Sequence, residues 1–68
     1  MNKIPKFPDI NVQLSGEDGN AYSIIGRVMR AMGRAGVDKD KIDKYQAEAT
    51  SGDYDNLLQV TMATVEVH

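Results

Sequence analysis

Cysteine is absent from these 68 residues and histidine occurs once, as His68. No disulfide can staple the chain, and a zinc site built from His and Cys is excluded. A Ser–His or Cys–His nucleophile pair lacks its base, because the one imidazole sits at the end of the sequence, where fraying is expected. Tryptophan is missing and aromatic residues make up only 6%, so a core must be filled largely by aliphatic side chains. No apolar run approaches the roughly 20 residues of a membrane helix. The opening Met-Asn-Lys-Ile-Pro-Lys-Phe-Pro lacks the apolar stretch of a signal peptide. The expected location is therefore the cytoplasm, with no membrane partner. A net charge of −2 with both signs interspersed argues against nucleic acid as a partner.

What remains is one small domain with a marginal core. Without disulfide or metal, self-association is the expected support, so a homo-oligomer is anticipated.

The pattern along the chain predicts an α+β fold ordered β-α-α-α-β. Pro5 and Pro8 mark residues 1–8 as an extended N-terminal arm, leaving 9–68 as the domain. Ile4 and Phe7 are its docking candidates. Ile10, Val12 and Leu14 alternate with polar residues, which predicts a strand over about 9–14. Ser15 to Asn20 is a loop offering Asp18 or Asn20 as helix caps.

The first helix is predicted over about 20–35. Ala21, Ile24, Ile25, Val28, Met29 and Met32 define its apolar face, and Gly36 its stop. Gly26 and Gly33 lie on one ridge that permits close approach of another backbone. Val37 and Ile42 are spaced as a hydrophobic staple around Asp38, the cap of a second, polar helix that ends at Gly52. A third helix is expected over about 53–62. Thr64 to Val67 then forms a strand paired with 10–14, under the first helix. The β-branched residues of 57–67 leave one long strand there as the alternative.

Several of these segments together, Ser15-Gly16-Glu17-Asp18-Gly19-Asn20-Ala21, Ile24-Ile25-Gly26-Arg27-Val28, Ala35-Gly36 and Glu48 to Asp55 with Leu57-Leu58, resemble a set of short uncharacterised proteins of bacteria and their phages. The resemblance covers about residues 10–67. It implies a compact single domain of phage or mobile-element origin. It carries no known activity and assigns no site residue.

The acidic pairs Glu17/Asp18, Asp38/Asp40 and Asp53/Asp55 read as helix-start carboxylates rather than as catalytic dyads. Asp53-x-Asp55-Asn56 faintly resembles a calcium loop. Leu57, Leu58 and Thr64 stand where a ligand, the glycine and the bidentate glutamate belong. The remaining constellation is one suited to binding an anion. Gly16, Gly19 and Asn20 lead into a helix N-terminus, and Arg27, Arg30 and Arg34 line that helix on its polar side. Tyr22 in the first turn either stacks on a base or fills the core, with the core favoured. These residues are the expected ligand site. The expected function is non-catalytic binding of an anionic, nucleotide-type ligand, with sequestration as its use and no cofactor. Docking on a larger protein as an inhibitor or accessory is the alternative.

Overall fold

The computed structural model describes residues 4–68. Strand β1 (Phe7–Val12) is followed by helices α1 (Ala21–Arg34), α2 (Lys39–Ala49) and α3 (Tyr54–Thr64), and by strand β2 (Val65–Val67). The predicted α+β order holds. The two strands pair side by side in parallel, with Asn11 opposite Glu66 and Val12 opposite Val67. Three intervening helices make the long crossover that parallel pairing requires. The register is interrupted between Phe7 and Asn11, where β1 advances further than its partner.

β1 begins at Phe7, inside the predicted arm, and ends at Val12. Leu14 nevertheless packs on the core, and its amide and that of Ser15 both donate to the carbonyl of His68. His68 is not frayed. Its own amide donates to the Val12 carbonyl, and its ring Nε2 lies 2.8 Å from Asn11 Oδ1. Phe7 is half-buried against the core, whereas Ile4 is exposed.

α1 starts where Asn20 Oδ1 accepts from the amide of Tyr22. It stops in a Schellman turn: Val37 N–H bonds the Met32 carbonyl, Gly36 N–H bonds that of Gly33, and Gly36 takes φ +82°. Ile24, Ile25, Val28 and Met32 are buried, and Met29 and Ala21 flank them. The core also takes Ile10, Val12, Tyr45, Ala49, Leu57 and Val65. Val37 and Ile42 pack on it either side of Asp38, as a staple should, although the Asp38 side chain makes no cap bond.

α2 ends at Ala49, earlier than expected, and Gly52 is not its stop. The hydroxyls of Thr50 and Ser51 bond the carbonyls of Gln46 and Glu48, and Asn56 Nδ2 also reaches Glu48. These groups satisfy the helix end without a left-handed glycine. Gly52 is needed for space instead, since a Cβ there would lie 2.9 Å from Asn56 Cβ. Asp53 caps α3 through the Asn56 amide. The helix runs on to Thr64 despite its β-branched residues, because Leu57, Thr61 and Thr64 face the core at helical spacing. No helix among the described residues is long and apolar enough to cross a membrane.

Candidate functional site

The residues expected to bind an anion lie on α1 and its preceding loop, where the loop's polar groups are largely engaged while Arg30 and Arg34 have no acidic partner among the described residues. Asp18 accepts from the Asn20 amide at 3.0 Å and from Ser23 Oγ at 3.1 Å. These bonds hold the Asp18 carboxyl below its ordinary range, the Asn20 amide contributing most. An ionised carboxylate therefore stands just ahead of the helix N-terminus where an anion would enter. Glu17 N–H is bonded to the Leu14 carbonyl. Arg27 Nη2 lies 3.7 Å from Glu17 Oε1, tying the loop to α1. Its Nη1 is shielded from solvent and has no hydrogen-bond partner among the described residues.

Gly16 takes φ +76°, as a turn glycine. Gly19 does not. Its carbonyl accepts the Tyr54 hydroxyl at 2.6 Å, which pins the loop to the start of α3. Tyr22 points outward with 83% of its surface exposed, so it does not fill the core. Position 22 lies at the edge of the apolar band that Ile24, Ile25 and Val28 carry inward. Arg30 and Arg34 are exposed. Among the described residues no neighbouring backbone meets Gly26 or Gly33, and space beside Gly33 is open. Met62 on α3 is also exposed.

A different set of cations converges elsewhere. Lys6, just ahead of β1, and Lys41 and Lys44, one turn apart on α2, rim a groove of about 290 Å³. Phe7, Met32, Tyr45 and Thr64 also line it, with Glu48 on the rim. Met32, Tyr45 and Thr64 are each buried and Phe7 is half-buried on the core, so together they form its floor. Among the described residues only Arg27 and Lys39 have an acidic partner at salt-bridge distance, so Lys6, Lys41 and Lys44 are unpaired. The floor hydroxyls are spent: Tyr45 on Thr61, and Thr64 on the Val60 carbonyl. Lys6, Phe7 and Lys41 also line an adjoining hollow that reaches the Gly36 turn.

Three long cations around an apolar floor can hold an anion by its charge while covering its apolar body. Sequence reasoning missed this grouping, although Lys41 and Lys44 were visible as an i, i+3 pair. No described cluster of His, Asp or Glu could hold a metal ion. No family model, curated protein or solved structure matches the chain, so the resemblance to short bacterial and phage proteins gains no support from these comparisons.

Proposed function

We propose that this chain is a non-catalytic, cytoplasmic binding protein that sequesters a small organic anion of nucleotide type in the lysine-rimmed groove. The observation that carries this reading is the convergence of three unpaired lysines, from two separate elements, over a floor of Phe7, Met32 and Tyr45. Phosphate or carboxylate would meet Lys41 and Lys44, with Lys6 closing from the other side. A ring or aliphatic body would lie on Phe7. Glu48 offers an acceptor to an amino group on the same ligand. The groove supports binding rather than turnover, because no nucleophile in it is paired with a free base.

The reading keeps the anionic ligand anticipated from sequence and moves its seat from α1 to the groove. The arginine face, with Glu17 and Asp18 beside it, supports an anion less well.

Titration of the protein with a fluorescent adenosine monophosphate analogue tests this. Lys6→Ala, Lys41→Ala and Lys44→Ala should each weaken binding by about 0.5–1.5 kcal/mol, a several-fold change. Lys39→Ala should not, since that ammonium is occupied 2.8 Å from Asp43. Equal binding by the parent and the triple lysine variant would refute the proposal.

A further inference from the structure

The outer side of α1 presents Tyr22, Gly26, Met29 and Gly33 at spacings of four, three and four, which places them in one narrow band along the helix. Among the described residues Tyr22 is the most exposed large hydrophobic one, and none lies within 4 Å of a Cβ built at Gly33. Beside Gly26 only the flexible head of Arg30 comes within 4 Å. The band alternates large and small, and its order is self-complementary. Turned end for end about a point between Arg27 and Val28, Tyr22 falls opposite Gly33 and Gly26 opposite Met29.

Charge follows the same symmetry. Arg30 and Arg34 are exposed on the flank of this band, toward its C-terminal end. Asp18, bonded to Ser23, stands on the same flank at the N-terminal end. A two-fold axis across an antiparallel helix pair brings each flank against its own copy. Ser23 of one copy then lies at the level of Met32 of the other, so the Asp18 bonded to it stands nearest Arg34, and the reciprocal pair forms at the far end. A parallel arrangement would set Tyr22 against Tyr22 and carry the two arginine flanks to opposite sides of the pair.

We propose that a second copy of this chain packs antiparallel on the open face of α1, with Tyr22 and Met29 of each copy seated over Gly33 and Gly26 of the other and Arg34 facing the partner's Asp18. Glycines at the contact let the two helix backbones approach closely. The pairing uses none of the groove lysines, so it stands or falls apart from the groove.

Mass measurement by sedimentation at high micromolar concentration should show a dimer. Gly33→Leu should leave the circular dichroism spectrum unchanged and weaken dimerisation by about tenfold or more, because the new side chain occupies the seat of Tyr22. Adding Tyr22→Ala to Gly33→Leu should restore part of the loss by exchanging large for small.

Geometry has its own test, because the chain contains no other thiol. Tyr22 and Gly33 are eleven positions apart, roughly 16 Å along a helix, too far for a bridge within one copy. The double variant Tyr22→Cys with Gly33→Cys should therefore cross-link into covalent dimers on mild oxidation, whereas Tyr22→Cys alone should not. A monomeric parent, a dimer indifferent to Gly33→Leu, or efficient cross-linking by Tyr22→Cys alone would each overturn the proposal.

Discussion

The phenolic oxygen of Tyr45 lies 2.8 Å from the hydroxyl oxygen of Thr61, with the first residue 3% exposed and the second fully buried. This bond joins α2 to α3 beneath the lysine groove. Tyr45→Phe would strand the Thr61 hydroxyl out of water, at a cost of about 1–3 kcal/mol in chemical denaturation. Replacing both partners, Tyr45→Phe with Thr61→Val, should recover most of that loss. A double variant as unstable as the sum of two singles would mean the bond contributes nothing.

The same tyrosine gives a pH dependence. Burial pushes its pKa up, opposed by the bond from Thr61. The unfolded phenol ionises near its ordinary value of 10.0 while the folded one resists. Stability is therefore full below pH 10 and falls as pH rises past it. Asp18 acts in the opposite direction. Its folded pKa is lowered, so its contribution is present above its ordinary 3.8 and is lost as pH falls below that value. Tyr45→Phe should flatten the alkaline limb, and Ser23→Ala should shrink the acid one, in urea titrations across pH.

Glycine positions should respond in three distinct ways. Gly52→Ala forces a Cβ to within 2.9 Å of Asn56 Cβ, next to the cap of α3, and should destabilise the fold by about 1–3 kcal/mol. Gly36→Ala has open space but a φ of +82°, which should cost about 1–2 kcal/mol from backbone strain alone. Gly33→Ala meets neither obstacle in the last turn of α1 and should stabilise the monomer by about 0.5–1 kcal/mol. Thermal melts at low protein concentration separate these cases. A neutral Gly52→Ala would contradict the packing of the α2–α3 turn.

Much of this architecture was legible because it is local. The spacing from Ile24 to Met32, the cap at Asn20, one of the two residues the loop offered, and the Gly36–Val37 ending each lie within a few residues of one another. Gly52 misled because a glycine after a polar helix resembles a stop, while the Thr50 and Ser51 hydroxyls had taken that role. Tyr22 misled because an aromatic in a first turn fits a core or a surface equally well. The lysine groove was not legible. Lys6 and Lys41 are 35 positions apart, and only the packing of β1 beside the α1–α2 turn makes them neighbours. Sequence spacing shows that Lys41 and Lys44 share a helix face, but not what that face overlooks.

Salt offers a further check on the groove. Exposed lysines act through screened charge, so nucleotide affinity should fall steadily as ionic strength rises through the physiological range. A contact made only on the apolar floor of Phe7, Met32 and Tyr45 would be insensitive to salt, or strengthen with it. Isothermal titration at several sodium chloride concentrations distinguishes the two.

The most direct measurement is an amide-resolved NMR titration of the intact chain with adenosine monophosphate, with adenosine and inorganic phosphate as separate controls. The groove account predicts shift changes centred on Lys6, Phe7, Lys41, Lys44 and Tyr45, largest when ring and phosphate are joined in one molecule. Shifts centred instead on Gly16 to Tyr22 and Arg27, or none at all with any of the three, would contradict it.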